Sequence, residues 1–214
     1  MMEKHMRGRQ SAETAEHTRH TILVAALHIF ARQGFEATGM RDIAIAAGTT
    51  HSLIRHHFGS KEGVWQAVVS EAFNEFATVL YASAQIDDST TSNEPVAILQ
   101  RIVRSFLHIC ARSPEIVQLI LHEGTQKSVR LDYVMRQAAP LEELIDPLIP
   151  CVQQQGNLQY FDKSTFVIYL LTAGAAPFGL SALSNQLLRA DILSEQQTQS
   201  HIDRILETLF PHAN

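Results

Sequence analysis

Two cysteines in 214 residues are too few to staple a fold, and Cys110 and Cys151 both lie in apolar or helical sequence. Both read as small core hydrophobes in a reducing compartment, not as a disulfide framework or a metal site. The only tryptophan, Trp65, reads as a packing residue. No stretch reaches the roughly 18 uninterrupted apolar residues of a membrane-spanning helix. The longest candidate, 166–183, is interrupted by Thr172, Pro177 and Ser181 and reads as a buried helix. No apolar leader opens the chain, so a cytoplasmic location is expected. The serine-nucleophile elbow, the phosphate-binding glycine loop and the dinucleotide fingerprint are all missing. His122-Glu123 begins like a zinc-protease motif, but no second histidine follows four residues on. Neither an enzyme, a cofactor nor a metal is expected.

What is present suits an all-α protein with a real core, because 45% of the residues are hydrophobic. The net charge of −5 argues at first sight against a nucleic-acid partner. Its distribution changes that reading. Residues 1–62 carry eight Lys/Arg against six Asp/Glu, with seven of the eleven histidines, whereas residues 63–214 carry a balance of −7. Phosphate attraction decays over about 8–10 Å in physiological salt, so the local balance decides.

The most informative stretch is MRDIAIAAGTTHSLIRHHFGSKE, residues 40–62. A short helix over Arg41 to Ala47 has Ile43, Ala44 and Ala47 on one face. Gly48 provides a turn, Thr50 a cap, and Leu53, Ile54 and Phe58 the apolar face of a second helix. Two short helices around a glycine turn match the helix-turn-helix, whose second helix enters the DNA major groove. Opposite the apolar face stand Thr49, Thr50, His51, Ser52, Arg55, His56 and His57, with no acid among them. Such side chains donate to phosphates or read base edges. The bland alternative is a solvated helix of an ordinary helical domain. Three histidines on this helix also suggest a metal site, but their spacing is loose for zinc.

The run FEATGMRDIAIAAGTTHSLIRHHFGSKEGVW resembles the N-terminal domain of the TetR family of transcriptional regulators. Gly34-Phe35, Thr38, Arg41-Asp42-Ile43-Ala44, Ala47-Gly48, His57-Phe58 and Ser60-Lys61-Glu62 carry the likeness, which covers about the first third of the chain. It implies a three-helix DNA-binding domain over 18–62, a linking helix over 63–84, and a helical ligand-binding and dimerisation domain over 85–214. It also implies a homodimer on palindromic double-stranded operator DNA, most simply a repressor released by a small, apolar effector. Thr38, Arg41, Thr49, Thr50, His57 and Lys61 are then candidates for backbone contacts, and His51, Ser52, Arg55 and His56 for base readout. Gly39 departs from the usual Ser or Thr cap, and Arg55 stands where many relatives carry tyrosine. A ligand-dependent activator, or a helical module without a DNA role, remains open from the sequence.

The rest of the chain follows helical periods. Residues 1–17 lack apolar periodicity and read as a flexible arm with Lys4, Arg7 and Arg9. From a cap at Thr18, the spacing Ile22, Leu23, Ala26, Leu27, Phe30 predicts a helix that Gly34 stops. Ser60 caps a long helix from Lys61 to Ala84, followed by a polar loop over 85–93. Helices are expected over 95–112, 115–123, 131–155 (segmented by Pro140, Pro147 and Pro150), 162–186 and 194–210. Ala173 to Ala176 would admit close helix approach. In the resembled family the last two long helices pair across the two-fold axis. The resemblance places Phe106, His108, Cys110, His122, Glu123, Tyr133, Met135, Phe166 and Tyr169 in helices that can line the effector pocket. Plain core packing is the competing reading for each apolar member.

Arg55 gives the sharpest test. Arg55→Ala is expected to relax the preference at one operator position, at a cost of about 1–3 kcal/mol. Competition binding against single-base operator variants reads this; an unchanged preference would move Arg55 to the phosphate-contacting group.

Overall fold

The computed structural model describes residues 2–85 and 94–211, with side chains from residue 15. Its described residues contain helices and no strand. The chain divides into two compact units, Met1–Glu71 and Ala72–Asn214.

In the first unit α1 spans Met2–Ala37, leaving helical geometry at Gly34 (φ 76°, ψ 171°). The glycine break is where the sequence places it. The helix start is not: Thr18 is interior to α1, and the stretch expected as an arm continues the helix backbone. Residues 2–17 contain no proline and are mostly Glu, Lys, Arg, Gln, Met and Ala, which lose little on entering a helix. Absent apolar periodicity therefore was not evidence of a loop. Any role of Lys4, Arg7 and Arg9 lies outside the described side chains.

Ile22, Leu23, Ala26 and Phe30 of α1 are buried with Ile43 and Ala44 of α2 (Met40–Ala46) and Ile54 of α3 (His51–Phe58). Gly48, at φ 60°, makes the turn between α2 and α3, a backbone conformation costly for a residue with a Cβ. Thr50 caps α3 by accepting the amide of Leu53 at 3.2 Å. Ser60 accepts from the amide of Gly63 at 3.1 Å at the start of α4 (Lys61–Ala84). Gly63 itself has a steric task. A Cβ built there would lie 2.1 Å from the carbonyl oxygen of Phe58, so only glycine lets α4 depart this close to the end of α3.

The second unit contains the later part of α4, then α5 (Pro95–Arg112), α6 (Pro114–Glu123), α7 (Val129–Ile145) and α8 (Leu148–Gln154). After its described first residue, Gln85, the expected polar loop lies outside the described residues. Pro140 is carried inside α7, while the chain breaks before α8 next to Pro147. Cys110 is buried, but Cys151 is exposed and so is not the core residue expected of it. Its helix α8 buries Ile149 and Val152 and leaves Cys151 on the outer face.

The helix expected over 162–186 is broken. It forms α9 (Lys163–Tyr169), a π-helical turn over Leu170–Ala175, α10 (Ala176–Gly179) and α11 (Ser181–Leu188). The segments 163–179 and 181–188 meet at 83°. Pro177 removes one backbone donor from the ladder and crowds the preceding turn, and the π-turn lies just upstream. Gly174 faces Leu107 of α5 and Gly179 faces Val117 of α6, where a Cβ would meet their methyls at 2.8 and 2.9 Å. The amide of Gln118 donates to the carbonyl of Gly179 at 2.9 Å. The last helix, α12 (Glu195–Leu209), buries Ile202, Ile205, Leu206 and Leu209 and packs on α5. No single described helix is long and apolar enough to cross a membrane.

Gly63→Ala is expected to destabilise the first unit by about 1–3 kcal/mol, because the clash is with backbone and not with a movable side-chain tip. Chemical denaturation followed through Trp65 fluorescence measures this; an unchanged midpoint would mean that the corner between α3 and α4 opens freely.

Candidate nucleic-acid interface

The outward face of α3 is set by what its inward face buries. With Ile54 fully buried, His51, Ser52, Arg55 and His56 project to solvent, while His57 and Phe58 are half-buried. His56 and His57 meet edge to face, with ring centroids 5.7 Å apart. Arg41 on α2 is also exposed, and Thr49 is half-buried in the turn. The Thr50 hydroxyl accepts the capping bond through its oxygen, so its proton stays available to a phosphate. Asp42, the one acid of α2, is directed back to its own helix start, where its carboxylate accepts the Gly39 amide at 3.1 Å. Gly39 thus leaves the cap to Asp42, favoured there by the helix dipole. The face offers hydroxyls, imidazoles and two guanidinium groups, with no carboxylate on α3.

Two residues placed on this face by sequence are used elsewhere. Thr38 is buried, and its hydroxyl donates to the carbonyl of Gly34 at 2.7 Å. Lys61 directs its ammonium to the end of α1: Nζ lies 2.8 Å from the carbonyl of Phe35 and 3.4 Å from that of Glu36. It also sits 4.3 Å from the centre of the Phe35 ring. The Phe35 carbonyl also accepts the Thr38 amide at 3.2 Å, so the ammonium is a second donor at the negative end of α1. Beneath it Phe35 stacks on Phe30 at 5.8 Å and meets the buried Trp65 edge-on at 6.4 Å. On another side, Arg19 donates to Glu71 at 2.9 Å, tying α1 to α4.

The second unit encloses a cavity of about 420 Å³, within the size range of small-molecule sites. Its wall includes Phe76 of α4, Phe106 and Cys110 of α5, Met135 of α7 and Phe166 of α9. Of the nine pocket residues expected from the sequence, Phe106, Cys110, Met135 and Phe166 line this space. His108, His122, Glu123, Tyr133 and Tyr169 are not brought to it. Burial and the neighbouring Arg104 and Arg112 hold His108 toward its neutral form. His122 is exposed, and Glu123 is buried against Arg130, whose Nε lies 3.1 Å from both carboxylate oxygens. Burial pushes the Cys110 thiol far up, so it stays protonated. Sequence reasoning missed Glu142, which lines the cavity; it reads as one acid among several on a polar helix face. Among the described residues no group of His, Cys, Asp and Glu is arranged to hold a metal.

Residues 22–68 match the family described as bacterial regulatory proteins, tetR family. The chain is 40% identical over 82 residues to the HTH-type transcriptional regulatory protein RaaS of Mycobacterium tuberculosis, a match covering 38% of this chain and 37% of that one. It is 27% identical over 151 residues to the HTH-type transcriptional repressor NicS of Pseudomonas putida, covering 68% of each. Of the first of these relatives it therefore spans little more than a third. Among solved structures, the fold matches AibR in complex with isovaleryl coenzyme A and operator DNA at a TM-score of 0.70, with 19% identity over 91% of this chain and 98% of that one. It also matches the fatty acid degradation regulator FadR from Bacillus halodurans at 0.66, with 17% identity over 90% and 96%.

Lys61→Met separates a clamp from a phosphate ligand. The expected result is a loss of about 1–2 kcal/mol of stability in the first unit with the salt dependence of DNA binding unchanged. Loss of a phosphate contact would instead reduce the log–log salt slope by about 0.9. Denaturation together with a salt titration of DNA affinity decides between the two.

Proposed function

We propose that this chain, which belongs to the tetR family of bacterial regulatory proteins through its N-terminal domain, is a sequence-specific DNA-binding repressor that a small molecule releases from its operator. The observation that carries the reading is α3, which projects His51, Ser52, Arg55 and His56 from a rigid, capped corner with no acid beside them. Arg41, Thr49, Thr50 and His57 lie where backbone contacts would position that helix, and the four exposed residues would read bases. Thr38 and Lys61 serve this interface indirectly, by holding the end of α1. Supporting relatives are named as regulators and repressors, not as enzymes.

The protein acts as a homodimer in the cytoplasm. Leu180, Leu183, Leu187 and Leu188 are exposed around α11, an apolar face that pairing with a second copy would cover. Two-fold symmetry then demands a roughly palindromic site with half-sites about one helical turn apart. The domain division follows: a DNA-reading head over 18–62, a linking helix, and an effector and dimerisation domain beyond residue 85. A likeness of fold to AibR, named with both a coenzyme A ester and operator DNA, supports joining the two activities in one chain. The effector acts by binding the DNA-incompetent form more tightly, a coupling of about 1–3 kcal/mol.

The test is fluorescence anisotropy with DNA from upstream of the chain's own gene. Binding should saturate at two protomers per site and weaken by about a thousandfold between 50 and 200 mM salt, as for a protein making several phosphate contacts. Salt-insensitive binding, or none, would leave a helical module without a DNA role; tight binding that raises transcription would make it an activator.

A further inference from the structure

The hydroxyl and amide groups around the cavity of the second unit share one property: their protons are already donated to backbone carbonyls. Thr125 donates its hydroxyl to the carbonyl of His122 at 2.8 Å, and Thr172 donates its own to Ile168 at 2.7 Å. The backbone amides of Gly124 and Thr125, which also border the space, are bonded to the carbonyls of Ile120 and His122. Among the described residues of the wall, Glu142 is the only ionisable one besides the buried thiol of Cys110. A carboxylate accepts only, and a thiol is a weak donor.

The charge at the Glu142 edge points the same way. Glu142 is about one-third exposed, so it sits at the rim. Lys163, which is not part of the wall, lies 3.9 Å from Glu142 but 3.3 Å from Asp146. One ammonium is therefore shared between two carboxylates and is nearer to the one outside the cavity. Such partly exposed pairs are weak and readily exchanged. The rim retains an excess negative charge, while the interior is apolar.

From this we propose that the effector of this chain is an amphiphilic amine: an apolar body held in the cavity with a protonated nitrogen donating to Glu142. The inference rests on reading the cavity as the effector site and names the chemical class it takes. An acid head is disfavoured, because it needs donors that the wall does not provide and would face Glu142. The site thus differs in chemistry from the ligand named for AibR, the acyl thioester isovaleryl coenzyme A.

Three probes of equal chain length test it: dodecylamine, which is protonated at pH 7, dodecanol and dodecanoate. Each is titrated into the intact protein by calorimetry, below its aggregation concentration. The amine should bind at least about tenfold tighter than the carboxylate, with the alcohol between them. Glu142→Gln should remove most of the amine's advantage over the alcohol while leaving the alcohol's affinity unchanged, which also shows the cavity intact. Lys163→Met, removing the competing ammonium, should strengthen amine binding. Equal or tighter binding of dodecanoate to the wild type overturns the proposal whatever the variants do. So does an unchanged amine affinity in Glu142→Gln. Operator release is read separately by anisotropy: an amine that binds without displacing DNA would refute the ligand-released repressor and leave the ligand class standing. A protein that prefers the carboxylate yet binds DNA would do the reverse.

Discussion

A single ammonium group fastens the end of α1 to the start of α4 in the first unit. Lys61 lies in the first turn of α4, yet its Nζ reaches the carbonyls of Phe35 and Glu36 at the end of α1 and rests on the Phe35 ring. Carbonyls at a helix C-terminus carry partial negative charge, and a cation there gains from both the hydrogen bonds and the dipole. The cation also covers the aromatic stack of Phe30, Phe35 and Trp65, which is the bulkiest part of this unit's core. Because α2 and α3 lie in sequence between these two fastened ends, the clamp limits where the pair can go. The position of α3 is therefore limited by a residue that is not on it.

That arrangement explains how such a short helix can serve as the reader proposed above. Eight residues make barely two turns, far below the length at which an isolated helix persists in water. The helix is held by Thr50 at its start, by Ile54 in the core and by the Gly59 to Gly63 corner at its end. Each support is local and needs only one side chain or the lack of one. With the backbone held, His51, Ser52, Arg55 and His56 are not among the groups that hold the helix in place.

The sequence showed the helical class, the two short helices, the turn at Gly48 and the caps at Thr50 and Ser60, because each has a chemical signature of its own. It was poorer at assigning single polar side chains. Thr38 and Lys61 have the composition of phosphate ligands, and only coordinates reveal that carbonyls of α1 already use them. The demand for glycine at 63 was equally hidden, since it comes from a carbonyl five residues earlier in the chain. In the second unit the apolar pattern over 162–186 fitted one helix. The π-turn and the bend near Leu180 result from Pro177 combined with close packing of Gly174 and Gly179 on α5 and α6. Periodicity reports burial faces and is blind to such contacts. Pocket residues were legible only in part, because histidines and tyrosines attract attention by type whereas Glu142 looked like surface.

The broken helix also bears on how an effector could act. In the proposed function the signal must begin at the cavity wall, and the wall includes Phe166 and Val167 of α9 together with Leu170, Thr172 and Ala175 of the π-turn. A π-turn is a strained segment with an alternative, the regular helix, one residue of register away. Ligand contacts to such a segment have two discrete packings to choose between, which is the condition for a population shift instead of a graded deformation. The same wall uses Phe73, Phe76 and Leu80 of α4, the helix whose first residue is Lys61. An effector that chooses between these packings would thus act on α4 within the second unit as well as on α9.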